Sequence, residues 1–238
     1  MEVKVNAIVI KSIDYKESDK ILTLYSLEYG KITASIKGVR KASAKLKFAS
    51  EPFCFSEYVL VEKNGRYTVK NATYIETFYN LRLNVEKYYT ASIILEFLSA
   101  MTEEKVQDAQ IFKIALDGVK NICYEQEERQ SLAVFLIKAV ETLGYSIENV
   151  ACHDCGQIIS GRVFFSFENA QFSCEECRKE GFSEIMRETY LAYFNLKEGK
   201  AVEDVEAVNK VIRFLVYYMR VKTDTYLKSS EELFKITN

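Results

Sequence analysis

"KILTLYSLEYGKITASIKGVRKASAKLK", residues 20–47, joins two different patterns. Up to Lys37 it reads as paired strands. Ile21, Leu22, Leu24, Tyr25 and Leu27 form an apolar run that closes at Tyr29-Gly30. Ile32, Ala34 and Ile36 then alternate with Lys31, Thr33, Ser35 and Lys37, the two-residue period of a half-buried strand. From Gly38 the alternation stops and a basic segment begins. Between Tyr29 and Ser50 there is no Asp or Glu, while Lys37, Arg40, Lys41, Lys45 and Lys47 all fall there. Cations on a loop at a sheet's rim, with no acid near, add their fields. A polyanion gains by releasing counterions at each neutralised phosphate.

The flanking sequence extends the strand reading. Val3, Val5, Ala7 and Val9 alternate with polar neighbours until Ile8 and Ile10 fill in the run. "FCFSEYVLVEKNGRYTVKNATYIETF" reads as two strands around Asn64-Gly65, a pair suited to the positive φ angles of a tight hairpin turn. About five short strands in the first 80 residues suit a small closed barrel of the OB type, although other small barrels fit the pattern too. From about Leu81 the period changes to three or four. Tyr88, Ile93 or Ile94, Phe97 and Met101 share one spacing, and Val205, Val208, Ile212, Leu215 and Met219 form a stripe on a long helix. Gly144 is placed to cap the helix before it. The fold class is therefore α+β. An OB-fold barrel over 1–80 precedes a helical domain over 81–238, which carries an insertion at about 150–180.

Composition sets the outer limits. The chain has 238 residues, 48% of them hydrophobic, and a single proline, Pro52, so a real core and no Pro-rich linker are expected. Its start has no long apolar stretch and does not read as a signal peptide. No run of about 18 apolar residues exists, so no membrane-spanning helix is expected. Six cysteines without an export signal suit a reducing, cytoplasmic setting. The net charge is −2, but it is unevenly placed. Lys and Arg outnumber Asp and Glu by 13 to 9 over residues 1–80 and are outnumbered 19 to 25 over residues 81–238. This asymmetry points to an N-terminal module that faces a polyanion.

The insertion "CHDCGQIISGRVFFSFENAQFSCEEC" holds Cys152, Cys155, Cys174 and Cys177 in two C-x2-C knuckles, with eighteen residues between them. Each knuckle aims two sulfurs at one point, and two knuckles complete the tetrahedron that zinc accepts. One structural Zn²⁺ is expected, on a short hairpin that turns near Glu168-Asn169. Four thiolates close the shell, whereas a catalytic zinc keeps a position open for water. Phe164, Phe165, Phe167 and Phe172 are too few for an independent core, and Arg162, Arg178 and Lys179 are placed to offset the thiolate charge. His153, the one histidine, reads as a solvent-facing neighbour of the site. Cys54 and Cys123 read as buried apolar residues. Glu17-Ser18-Asp19 offers paired carboxylates without a visible pocket and reads as an ordinary loop. No phosphate loop or G-x-S-x-G is present, so no enzyme is expected. Tyr25, Tyr29, Phe48 and Tyr67 are available as base-stacking platforms.

Residues 17–46, "ESDKILTLYSLEYGKITASIKGVRKASAKL", resemble the N-terminal signature of the RecO family of bacterial recombination mediators. In that family a strand ends in a Lys-Gly pair, here Lys37-Gly38, and a basic loop follows. The downstream order also matches: a helical region with a four-cysteine insertion, then a long closing helix. The resemblance implies a DNA repair and recombination mediator that binds single- and double-stranded DNA, with Lys37, Arg40, Lys41, Lys45 and Lys47 as DNA contacts. It implies strand annealing, a RecR-type partner, and help in loading recombinase onto strands covered by single-strand-binding protein. It also implies that the helical domain receives the C-terminal tail of that protein. Arg213, Arg220 and Lys222, beside large apolar residues, are the candidates there. A membrane or a small-molecule substrate is not implied. The competing readings are a zinc-stabilised scaffold that binds only proteins and, less well supported, a zinc-dependent nucleic-acid enzyme.

Overall fold

The computed structural model describes residues 1–147 and 150–236, so the last two positions of the expected helical domain lie outside the described residues. Five strands close the N-terminal barrel: β1 (Glu2–Tyr15), β2 (Asp19–Ser26), β3 (Gly30–Ile36), β4 (Phe55–Lys63) and β5 (Arg66–Glu76). They run in the order β1-β2-β3-β5-β4, antiparallel except where β3 meets β5 in parallel at Ala34–Tyr67 and Ser35–Thr68. This is an OB-like arrangement. Asn64 and Gly65 make the β4–β5 turn with φ of 51° and 73°, as a two-residue hairpin of this kind requires.

β1 serves two neighbours. Glu2 to Ile8 pair with β4, Ala7 to Tyr15 pair with β2, and the β2 register shifts between Val9 and Lys11. That bulge at Ile10 bends the strand around the barrel. Val5, Ala7 and Val9 point inward, packing with Leu22, Leu24, Ile32, Ala34, Ile36 and Leu60. Ile8, Ile10 and Tyr25 lie on the opposite face, buried in the core of the helices. The broken alternation in β1 thus records a strand buried on both faces.

Among the described residues six α-helices follow: α1 (Val85–Met101), α2 (Ala109–Tyr124), α3 (Glu128–Thr142), α4 (Arg187–Lys197), α5 (Val205–Thr223) and α6 (Lys228–Lys235). Side chains of Asn84, Asp108 and Asp204 cap α1, α2 and α5 by accepting from backbone N–H groups in the first turn. Gly144, at φ +83°, follows the end of α3 as expected. α1 is the central helix, with Ile93, Ile94, Phe97 and Leu98 fully buried. Val205, expected in the apolar stripe of α5, instead lies exposed in its first turn.

Between α3 and α4 the insertion forms β6 (Val163–Ser166) and β7 (Gln171–Ser173), with β8 (Ser183–Ile185) on the other edge of β6. Its aromatics do not stand alone. Phe165 and Phe172 are buried in the main helical core, and their ring centroids lie 4.9 and 6.3 Å from that of Phe214 on α5.

Barrel and helices also meet at a tight backbone contact. Gly30 has φ +62°, and a Cβ there would lie 1.9 Å from the Val106 carbonyl oxygen. Lys105 N donates to Lys31 O, and Lys31 Nζ donates to the Ser99 and Thr102 carbonyls that end α1. Lys31 is therefore committed to the fold and is not part of a free basic surface. Gly30→Ala combines a left-handed backbone with a backbone clash. It is expected to lower stability by about 2–4 kcal/mol, read from the urea midpoint. A shift no larger than that of a surface substitution would contradict this packing.

Candidate nucleic-acid interface and metal centre

The basic segment leaves the barrel where β3 ends. Val39 is buried in the barrel core, and Leu46 and Phe48 pack against it, so three apolar anchors pin an otherwise irregular loop. Lys37, Lys41, Lys45 and Lys47 are exposed, and none forms an ion pair among the described residues. Arg40 differs. Its guanidinium pairs with Asp14 at 3.0 Å and donates to the carbonyls of Lys16 and Glu17 at 3.0 and 3.2 Å. Arg40 thus ties the loop to the β1–β2 turn.

Asp19 makes the second tie. Gly38 N donates to Asp19 Oδ1 at 2.8 Å, and Ser18 Oγ donates to the same oxygen at 3.2 Å. The bond from Gly38 first, then those charges and donors around it, Ser18, Lys16 and Lys37, hold the Asp19 carboxyl below its usual range. The "ESD" carboxylate is therefore an anchor for the loop. A depressed carboxyl contributes its stabilisation above the unfolded-state value and loses it as pH falls through the folded one. Asp19→Ala should therefore speed hydrogen exchange at the Gly38 amide at pH 7. The wild-type loop should show the same release only in acid, below about pH 4. Equal exchange in both proteins at pH 7 would remove Asp19 from this role.

Beside the loop, a groove of about 390 Å³ is lined by Tyr15, Ile21, Thr33, Ser35, Arg66 and Tyr67. Ile21 pairs with Ser35 one rung from the Lys20–Ile36 pair, after which Lys37 begins the loop. Lys16 Nζ lies 5.3 Å from the Tyr15 ring. Ser35 lines the groove and Lys37 follows two residues on, so the basic loop leaves the barrel at the groove's edge. Of the four aromatics considered as stacking platforms, Tyr67 lines this groove and Tyr29 is partly exposed. Phe48 packs against the barrel core, and Tyr25 is fully buried against Phe112 at 6.1 Å. Tyr25 is a core residue, because the outer face of β2 is covered by helices.

The four cysteines converge. The sulfurs of Cys152, Cys155, Cys174 and Cys177 all lie within 4.8 Å of one another. Cys152 N donates to Gln157 O, Gly156 N to Cys152 O and His153 N to Phe172 O, which fixes the first knuckle against β7. Burial opposes ionisation of Cys152, but backbone N–H groups of Cys155, Cys174 and Asp154 outweigh it and bring the thiol down to about 6. Hydrogen bonding to Cys174 and Cys155 pushes Cys177 up to about 12. One thiolate thus discourages the next, and a cation at the centre would relieve that opposition. His153 is exposed and lies outside the cluster. Among the basic neighbours, Arg162 is taken up by Glu175 and Glu184, and Lys179 by Asp154. Arg178 lies 4.8 Å over the Phe164 ring. Cys54 and Cys123 are buried, and burial pushes both thiols up.

A second groove, about 180 Å³, lies between α5 and α6. Arg213, Val216, Tyr217 and Arg220 line one side, and Tyr226 and Phe234 the other. Arg213 sits 4.1 Å over the Phe234 ring and Arg220 6.0 Å from the Tyr226 ring. Lys222 is not in this groove; it donates to Glu168 O on the insertion.

Two family models match this chain, Recombination protein O N terminal over residues 1–78 and Recombination protein O C terminal over residues 82–231. The chain belongs to the RecO family of DNA repair proteins. The DNA repair protein RecO of Alkaliphilus metalliredigens is 28% identical over 247 residues, covering 99% of each chain. That of Caldicellulosiruptor saccharolyticus is 27% identical over 219 residues, covering 90% of each. That of Bacillus pumilus is 25% identical, covering 97% of this chain and 93% of its own.

Several residues at these sites carry no signal in the sequence. Tyr15 and Arg66 join the barrel groove from two different turns, and only the closed barrel brings them together. Phe234 belongs to the eight-residue α6, whose sequence KSSEELFK is half charged, and Tyr226 lies in the segment just before it. The spacing of Leu227, Ser230 and Phe234 is the one helical signal there. Among the described residues, no helix is long and apolar enough to cross a membrane.

Proposed function

We propose that this chain is a recombination mediator without chemistry of its own. It binds single- and double-stranded DNA, promotes annealing of complementary strands, and helps load recombinase onto strands covered by single-strand-binding protein. The observation that carries this reading is on the barrel: four lysines, without an ion pair among the described residues, on an anchored loop that leaves the sheet at the edge of a groove with two tyrosines. The lysines suit phosphates of either a single strand or a duplex. Tyr15 and Tyr67 suit the faces of unpaired bases. The four loop lysines are point charges without the fork geometry that reads base edges, so affinity should be indifferent to sequence.

The α5–α6 groove supports a partner role in the cytoplasm. Arg213 and Arg220 can take carboxylates while Tyr226 and Phe234 accept an aromatic side chain, which suits the acidic tail of single-strand-binding protein. A RecR-type mediator is the second partner. One structural Zn²⁺ would be held by Cys152, Cys155, Cys174 and Cys177, whose thiolate chemistry fits it. Such a closed set orders the insertion and leaves no position for a reacting water.

The groove also favours a second reading, a scaffold that binds proteins only. Titrating labelled oligonucleotides of unrelated sequence across a range of salt separates the two. The mediator requires similar affinities for all sequences and a linear fall of log affinity with log salt. Absence of binding at low salt would favour the scaffold.

A further inference from the structure

We infer that the turn of the four-cysteine insertion braces Tyr217, a wall of the α5–α6 groove, from behind, so that the metal centre sets how tightly the groove takes an acidic, aromatic peptide. The inference rests on the reading of that groove as a peptide site and goes further by naming what controls it. β6 and β7 pair over three rungs, Phe164–Ser173, Phe165–Phe172 and Ser166–Gln171. Cys174 follows the last rung at one end, and the turn through Phe167, Glu168, Asn169 and Ala170 closes the other. The hairpin is thus a lever about 13 Å long, from ligand to tip.

The tip rests on α5. The Phe167 ring meets Tyr217 edge-on, with centroids 4.8 Å apart and planes at 90°, and lies 5.6 Å from Phe214. Lys222, one turn further along, donates to Glu168 O. Tyr217 itself lines the groove, between Arg213 and Arg220 on the same helical face. One side of its ring therefore faces the insertion and the other side the groove.

Three supports fix the lever. Phe165 and Phe172 hold its middle by burial. The tip holds through Phe167 and the Lys222 bond. At the base β6 is held by β8 and by the ion pairs of Arg162 with Glu175 and Glu184, while β7, an edge strand, runs straight into the second knuckle, whose order depends on the four sulfurs sharing one cation. With that knuckle released, β7 and the turn that feeds it loosen, and Tyr217 loses the surface that fixes it. A groove whose wall must be reordered on binding takes its peptide less tightly. The chemistry it fits is a short acidic peptide with an aromatic side chain and a free terminal carboxylate.

The test is calorimetry of the full chain at low salt with a synthetic peptide of four Asp residues ending in Phe. Three forms are compared: zinc-loaded wild type, wild type stripped by chelator, and zinc-loaded Phe167→Ala. Zinc-loaded wild type should bind, and stripping should weaken the peptide about tenfold, within the usual range for coupled sites. Zinc chloride should restore it. Phe167→Ala, whose ring lies outside the groove, should weaken the peptide several-fold with metal content unchanged. This variant decides the matter if stripping unfolds the helices. Oligonucleotide affinity should be the same in all three folded forms. Unchanged peptide affinity in Phe167→Ala overturns the coupling while leaving the groove reading intact. Absence of binding by zinc-loaded wild type overturns both.

Discussion

Glutamine at Lys37, Lys41, Lys45 and Lys47 together is expected to weaken oligonucleotide binding by ~10³-fold near 50 mM salt. The four side chains are exposed and carry no ion pair among the described residues, and the field of Lys37 is the smallest of the influences on Asp19, so removing them leaves the anchors of the loop in place. Each single-strand phosphate contact contributes about 0.7 to the slope of log affinity against log salt. Loss of four contacts should therefore flatten that slope by about 3. The loop itself should keep its shape, because Val39, Leu46, Phe48, Arg40 and Asp19 anchor it and remain in place. Arg40 is left unchanged for that reason: its replacement would alter loop and charge together. Tyr67→Ala gives the complementary result, a loss of about 1–3 kcal/mol on single strands with no change of slope and little effect on duplex. An unchanged slope in the folded four-lysine variant would place the DNA site elsewhere on the chain.

The contrast between Lys31 and those four lysines shows where sequence reading ends. All five lie in one acid-free segment, and chemistry alone does not distinguish them. Lys31 is distinguished by the carbonyls of Ser99 and Thr102, which reach it only through the docking of the helices on β3. Tyr25 fails as a stacking platform for the same reason, since its neighbour Phe112 comes from α2. What is local was legible. The inward set Val5, Ala7 and Val9, the Asn64-Gly65 turn and the two knuckles each rest on spacing within a few residues. The pairing of Ile8 and Ile10 with the helical core, the use of Phe165 and Phe172 in that core, and the α6 wall of the partner groove depend on contacts across the chain. Arg213 and Arg220 were legible as candidates because they lie on the last long helix beside large apolar residues. Lys222 sits near them in sequence but turns toward Glu168.

Cys174→Ser is expected to lower stability by roughly 4 kcal/mol, or about 10 °C in melting temperature for a chain of this length. Cys174 is only partly buried, so the change itself removes little packing. What it removes is one of four sulfurs that lie within 4.8 Å of one another. Zinc would turn that crowding from a liability into a bond set. Without it, backbone N–H groups favour the thiolate of Cys152, while hydrogen bonds to Cys174 and Cys155 oppose ionisation of Cys177. The effect should not stop at the knuckles. Phe165 and Phe172 project from the same hairpin into the cluster around Phe214, Tyr190 and Phe194, so a loosened hairpin disturbs α4 and α5. The barrel should survive, because Val5, Leu22, Leu24 and Leu60 form a core of their own. Oligonucleotide affinity should therefore remain while the melting temperature falls. Elemental analysis of the wild type should give about one zinc per chain, as one four-ligand set requires. A metal-free preparation with reduced thiols, an ordered hairpin and an unchanged melting temperature would overturn the assignment.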